Sequence, residues 1–358
     1  MTQDQKTAQL ERVRRWREEK YRIPELRNLF LELTLRCNER CLHCGSSCGD
    51  VPSEEMPKED YRRILREVKE DFSKKLPMLC ITGGEPLLRR DFFDILGDAH
   101  SLGFYWGMTT NGTLITPEVA RELKRAGMGT VSVSLDGLPA HHDALRRTPG
   151  GFDKAMAGIG NLLAVGFDHV QVTTVVHRES LHDLDALFEI LKDVDIDSWR
   201  IINMEPIGRA LAHPDLMLTP DDYRYLIGYI RDKRREGYPV AYGCSHYVGQ
   251  ELEGQLRGWY FLCTAGIYTA SIMANGDVGA CLDIERRPET VMGNVYQTRF
   301  SEIWNNGFGF YRQDFAAKNP GCAACPERGY CAGDSRHTWD FDKNAPLVCM
   351  KDVLWTDT

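Results

Sequence analysis

The sequence predicts an α/β fold: a partial (β/α)6 TIM barrel followed by a smaller, cysteine-rich α+β domain. Three observations predict it. From about residue 29 to 210, short apolar runs alternate with helical patterns, the signature of successive βα units. After about residue 211 that alternation stops, and from about 240 the chain is rich in Gly, Cys and aromatic residues. The length, 358 residues, suits one large barrel plus an appendage.

Residues 1–28 read as a charged helical lead-in. Expected strands are 29–35, 79–82, 105–109, 131–135, 170–176 and 199–203. Between the first two, Tyr61, Ile64, Leu65, Val68 and Phe72 recur at helical spacing and form one apolar face. Six such units within 29–215 suit a partial parallel barrel; a doubly wound open sheet would show the same periodicity. The stretch HPDLMLTPDD leads into a linker helix within 216–240. The second domain is expected over 241–358, where Asn275-Gly276-Asp277 between two β-like runs signals a hairpin.

The net charge is −8, which argues against nucleic acid as the main partner, because a phosphate-binding face needs clustered Lys and Arg. The basic run at 12–17 (RVRRWR) is followed at once by Glu18 and Glu19 and reads as a solvated helix face. No apolar stretch is long enough to span a membrane. The N-terminal stretch MTQDQKTAQLERVRRW lacks the apolar core of a signal peptide, so a cytoplasmic location is expected. Twelve cysteines in a reducing compartment need a reason other than disulfides, and metal ligation is the usual one.

Cys37, Cys41 and Cys44 lie at spacing C-x3-C-x2-C directly after the first expected strand, at the barrel mouth where active sites are built. Thiolates suit iron–sulfur clusters or zinc. Three thiols leave one position of a four-iron cluster open, and an open position is where chemistry happens. A structural zinc knot completed by Cys48 or His43 would use the same spacing. Three more stretches follow at successive strand ends: Ile81-Thr-Gly83-Gly84-Glu85-Pro86, Thr109-Thr-Asn111-Gly112 and Ser132-Val-Ser134-Leu-Asp136-Gly137. Taken singly, each also reads as a turn.

Together these four ordered motifs resemble the radical S-adenosylmethionine (SAM) superfamily over residues 29–210. The resemblance implies that Cys37, Cys41 and Cys44 are the catalytic cluster ligands of a [4Fe–4S] centre, with the amino and carboxylate groups of SAM on the remaining iron. Reductive cleavage would give methionine and a 5′-deoxyadenosyl radical that abstracts hydrogen from a substrate. On this view Gly83 and Gly84 allow close approach to the methionine end of SAM, with Glu85 and Pro86 beside it. Ser134 and Asp136 bond the ribose, and Arg146 pairs with the SAM carboxylate. His43 lies near adenine, Asn111 lines the site, and Met204, in RIINMEPIGR after the sixth strand, lines the SAM or substrate pocket.

Toward the C-terminus, Cys263-x12-Gly276-x4-Cys281, Cys322-x2-Cys325-x5-Cys331 and Cys349 resemble the SPASM extension, which carries one or two auxiliary iron–sulfur clusters. Ser335 stands where that pattern has a further cysteine. The resemblance implies an outer cluster on Cys322, Cys325, Cys331 and Cys349. Cys263 and Cys281 are left for an inner one, completed by Asp334, Ser335 or His337, or absent. In the shortened twitch arrangement Cys263, Cys281, Cys322 and Cys325 would hold a single cluster. A zinc ribbon is the alternative for Cys-x2-Cys. Cys80 reads as a core residue, Cys48 and Cys244 as spare or substrate-site thiols, and Trp259, Tyr260 and Phe261 as packing groups. His141, His142 and His182 show no ligand spacing and read as surface or capping residues.

The resemblance implies a peptide or protein substrate, modified by thioether or C–C crosslinking or by oxidation. Its alternative is dehydrogenation or other modification of a small molecule such as an aminocyclitol or sugar. A non-catalytic zinc or iron–sulfur protein is the reading from another class. A reductant such as flavodoxin or ferredoxin is the expected partner, with no nucleic acid and no membrane.

Overall fold

A ten-stranded sheet carries the chain in the computed structural model, which describes residues 3–50, 54–243, 245–258 and 260–355. Cys244 and Trp259 lie outside the described residues. The strands are β1 (Asn28–Glu32), β2 (Met78–Thr82), β3 (Trp106–Thr110), β4 (Met128–Ser134), β5 (His169–Val176), β6 (Ser198–Asn203), β7 (Val240–Tyr242), β8 (Thr269–Ile272), β9 (Asp277–Gly279) and β10 (Gly293–Asn294). Their order is β10-β9-β8-β1-β2-β3-β4-β5-β6-β7. β1 to β7 are parallel neighbours in sequence order. The helices are α1 (Gln3–Arg22), α2 (Lys58–Asp71), α3 (Phe92–Ser101), α4 (Pro117–Arg125), α5 (Pro139–Arg146), α6 (Gly151–Val165), α7 (Leu184–Leu191) and α8 (Pro220–Arg235). Consecutive parallel strands with intervening helices settle the choice left open by periodicity: the strand order never reverses, as a doubly wound sheet requires, and the sheet is an open arc of barrel type.

All six expected strands are present, and a seventh joins them. Residues 216–240, expected as a linker helix, form a crossover: α8 returns the chain to β7, which pairs with β6 from Trp199↔Val240 to Ile201↔Tyr242. Three residues are too few for a periodicity signal. α8 starts on a capping box, with the Thr219 hydroxyl accepting from the Asp222 N–H and the Asp222 carboxylate accepting from the Thr219 N–H. On the other side β8 pairs in parallel with β1, and β8 turns through positive-φ Gly276 into antiparallel β9, the expected hairpin. The C-terminal region thus extends the barrel sheet itself.

The sheet packs through Leu29, Leu31, Leu79 and Ile81 against the apolar faces of α2 and α3 in one continuous core. Cys80, expected in that core, points to the opposite, half-buried face between Leu79 and Ile81. The basic run on α1 also departs from expectation. Arg14 and Arg15 pair with Glu11 in solvent, but Arg17 is buried and donates to the Gly329 and Phe261 carbonyls at 3.1 and 3.0 Å, tying α1 to the C-terminal region.

Candidate active site

The loop after β1 carries Cys37, Cys41 and Cys44 to the C-terminal mouth of the strands. The Glu39 N–H points at Cys37 Sγ and the Cys48 N–H at Cys44 Sγ, both at 3.4 Å. Cys37 and Cys41 are each within electrostatic reach of Cys44. Burial pushes the Cys37 thiol up to about 11. The Cys48 thiol donates to the Gly83 carbonyl at 3.5 Å. Among the described residues no three His, Cys, Asp or Glu side chains converge on a point that would enclose one metal ion. A cubane spreads its thiolates over separate irons, and three soft thiols on one loop are a donor set that suits it.

Three holds, from the ends of β2 and β3 together, of β4 and of β6, fix this loop. The first is the Gly-Gly-Glu-Pro turn after β2. Gly84 N–H bonds the Thr34 carbonyl at 2.7 Å and Glu85 N–H the Arg36 carbonyl at 2.9 Å. A Cβ on Gly83 would run into the Thr34 carbonyl, and one on Gly84 into that of Arg36. The glycines therefore let the cysteine loop's own backbone lie against the turn. Gly84→Ala is expected to displace that loop at a cost of about 3 kcal/mol, the upper end for overpacking, and to lower iron incorporation; thermal unfolding and iron analysis of the purified variant check both.

Glu85 is fully buried and accepts from the Thr110 hydroxyl and the Asn111 N–H at 2.9 Å. Burial pushes its carboxyl up to about 7. Pro86 opens the short turn behind it, Pro86–Leu88. After β3, Asn111 donates to Asn38 Oδ1 at 2.8 Å, so this motif grips the loop between Cys37 and Cys41.

The second hold is the segment after β4, with α5. Asp136 has no solvent exposure. Its carboxylate takes the Val175 N–H at 2.9 Å and Arg146 Nε at 2.7 Å. Arg146 also donates through Nη1 to Glu39 at 2.7 Å and lies 4.0 Å from Cys41 Sγ. The expected SAM-carboxylate partner and one expected ribose ligand are thus bound to each other, and Glu39 of the cysteine loop completes the buried bridge. His142, expected at the surface, is fully buried, and its Nδ1 accepts from the Asp136 N–H at 3.0 Å. His43 Nε2 is 3.8 Å from Asp136, its Nδ1 is buried without a partner, and burial lowers its pKa to about 4. Ser134, half-buried, ends β4 opposite Thr173.

The third hold follows β6. Gly208, at φ 55°, lies against the Cys44 and Gly45 carbonyls where a Cβ would collide. Arg209 donates to the Cys41 and Cys48 carbonyls at 2.8 and 3.0 Å and pairs with Asp50. Met204 is buried with Leu145, Ala210 and Leu216, against which Leu42 of the cysteine loop packs. Sequence alone gives Glu39 no role, reads His142 as a surface or capping residue, and meets Gly208 and Arg209 only within RIINMEPIGR. Only the Gly-Arg pair at a strand end carried a local signal.

In the C-terminal region Cys322 is within electrostatic reach of Cys325 and Cys349, and Cys331 of Cys349. Cys263 and Cys281 are both within electrostatic reach of Tyr311, and the Arg336 N–H points at Cys263 Sγ at 3.4 Å. Each Asp334 oxygen has one polar contact, with His246 Nδ1 and the Tyr247 N–H at 2.8 Å each. Phe261 is buried against Tyr247, a packing role.

The family model of the radical SAM superfamily matches residues 31–191, and that of an iron–sulfur cluster-binding domain, SPASM, matches 263–326. The chain is 30% identical to the AdoMet-dependent heme synthase of Methanosarcina barkeri over 84% of its length and 89% of that protein. It is 32% identical to the mycofactocin maturase MftC of Mycolicibacterium smegmatis over 85% of its length and 76% of that protein. Its fold is shared by Streptococcus suis SuiB bound to precursor peptide SuiA, at a TM-score of 0.73 and 20% identity, covering 99% of this chain and 82% of that one.

Proposed function

The chain belongs to the radical SAM superfamily, is an enzyme that uses SAM and [4Fe–4S] clusters and carries a C-terminal SPASM domain, and from that premise we propose that it modifies a peptide or protein substrate. The likeness to mycofactocin maturase, 32% over 85% of the chain, carries this reading. Cys37, Cys41 and Cys44 hold the SAM-binding cluster. When bound, that cluster and SAM supply a 5′-deoxyadenosyl radical able to take hydrogen from an unactivated C–H.

The chain's own residues do the rest. The Gly83-Gly84 turn, the Arg146 bridge and Arg209 fix the loop's backbone, so the three thiols are preorganised. Arg146, within 4.0 Å of Cys41 Sγ, sets a fixed positive charge beside a thiolate. His43 is held neutral by burial, leaving a ring nitrogen to meet a nucleoside by hydrogen bonding. Ser134 at the end of β4 offers a hydroxyl at the same mouth. Cys322, Cys325, Cys331 and Cys349 hold an auxiliary cluster, and Cys263 and Cys281 contribute to an inner site. A flavodoxin or ferredoxin delivers the electron. No helix among the described residues is long and apolar enough to cross a membrane.

A second reading, a tetrapyrrole substrate, is favoured by the heme synthase likeness, which spans 89% of that protein. Reconstituted enzyme with SAM and reductant distinguishes them. A short peptide encoded beside the gene should raise 5′-deoxyadenosine output and change in mass, with iron coproporphyrin III inert. Stimulation by the porphyrin alone would overturn the peptide reading.

A further inference from the structure

A second buried ionisable cluster joins the barrel mouth to the C-terminal region. His246 has no solvent exposure. Its Nδ1 lies 2.8 Å from Asp334 Oδ2 and its Nε2 3.0 Å from Glu205 Oε1. Glu205 stands just beyond the end of β6, ahead of the Gly208-Arg209 turn that grips the cysteine loop, and Asn203 donates to the same Oε1 at 2.9 Å. Asp334 belongs to the C-terminal cysteine region, and the Tyr247 N–H occupies its other oxygen. Burial alone would strip the proton from His246, but the two carboxylates outweigh it and raise its pKa to about 10. The imidazole thus lies between two carboxylates, one at each ring nitrogen. Removing one member of such a buried set leaves uncompensated charge, which the fold resists strongly.

What this imidazole holds in place is a turn with three successive left-handed residues. Ala332, Gly333 and Asp334 have successive φ values of 53°, 84° and 64°. Two of the three are not glycine, so the left-handed backbone must be imposed by its surroundings. Arg336 braces the turn from within, donating to the Asp334 and Ala332 carbonyls at 2.9 and 3.2 Å. His246 braces it from the barrel. The turn starts directly after Cys331 and ends at Ser335 and Arg336, whose N–H faces Cys263 Sγ. Thiols of both C-terminal groups are therefore positioned through this one segment.

We propose that His246 is a positioning residue: held between Glu205 of the barrel mouth and Asp334 of the C-terminal region, it fixes the Cys331 turn, and with it the seat of the auxiliary cluster, relative to the site of SAM cleavage. This rests on the assignment of Cys322, Cys325, Cys331 and Cys349 to that cluster.

The test uses full-length, anaerobically reconstituted protein as wild type, His246→Phe and His246→Gln. Phenylalanine keeps ring volume and removes both polar contacts, while glutamine keeps a donor and an acceptor without the charge. Two signals are read on each protein: the electron paramagnetic resonance spectrum and midpoint potential of the reduced auxiliary cluster, and substrate-free 5′-deoxyadenosine formation from SAM. The expected result is a shifted or lost auxiliary signal in His246→Phe, partial recovery in His246→Gln, and unchanged SAM cleavage in both. An auxiliary spectrum and potential identical to wild type in both variants would overturn the proposal. So would parallel loss of both signals, which marks a general core strut. A wild-type protein without auxiliary iron would overturn the cluster assignment and this inference together.

Discussion

Cys41→Ala is expected to abolish 5′-deoxyadenosine formation and to remove the iron of one cubane, while the auxiliary cluster keeps its resonance. Cys41 is the most enclosed of the three loop thiols: it is buried, its Sγ lies 3.6 Å from Glu39 and 4.0 Å from Arg146, and its carbonyl is held by Arg209. Water has no ready access to serve as a substitute ligand, and alanine offers no donor. A cluster held by two thiolates is poorly retained. Cys80→Ala, on the half-buried face of β2, is the control and should leave both iron content and SAM cleavage unchanged. Iron analysis, electron paramagnetic resonance and chromatography of the reaction products check the pair.

Arg146→Met should cost about 3–5 kcal/mol of stability, the usual penalty for breaking a buried ion pair by removing one partner. Arg146 bridges Asp136 through Nε and Glu39 through Nη1, so methionine would leave two carboxylates buried without a cation. Arg146→Lys should recover only part of the loss, because a single ammonium lacks the planar fork that reaches two carboxylates at once. The functional consequence is expected at the cysteine loop: Glu39 lies between Cys37 and Cys41, and the Arg40 and Leu42 N–H groups bond the Arg146 and Leu145 carbonyls. Denaturant unfolding of the cluster-free protein measures the stability change, and iron incorporation measures the loop.

The four strand-end motifs were legible because each is a short run at the end of an apolar strand, and strands are read from local pattern. Their partners were not. Arg146 and Glu39 are 107 residues apart, and Arg209 and Cys41 are 168 apart. No local pattern couples such pairs, so the bond between Arg146 and Asp136 is not legible in the sequence. Gly83 and Gly84 read as sites of close approach, but a sequence does not show that the Thr34–Arg36 backbone is among what approaches. β7 escaped because three residues show no period, and its pairing with β6 is a property of the sheet. Arg17 was read as solvated because the charge pattern of α1 does not reveal that one face of that helix is covered by residues more than 240 positions away.

The reading stands or falls on an iron left open by three protein thiols, and Mössbauer spectra of the reconstituted protein with and without SAM test that most directly. The account predicts that SAM addition changes the isomer shift of a single iron subsite, and that the change is lost in Cys41→Ala. A spectrum indifferent to SAM, with every iron already ligated by protein sulfur, would contradict it.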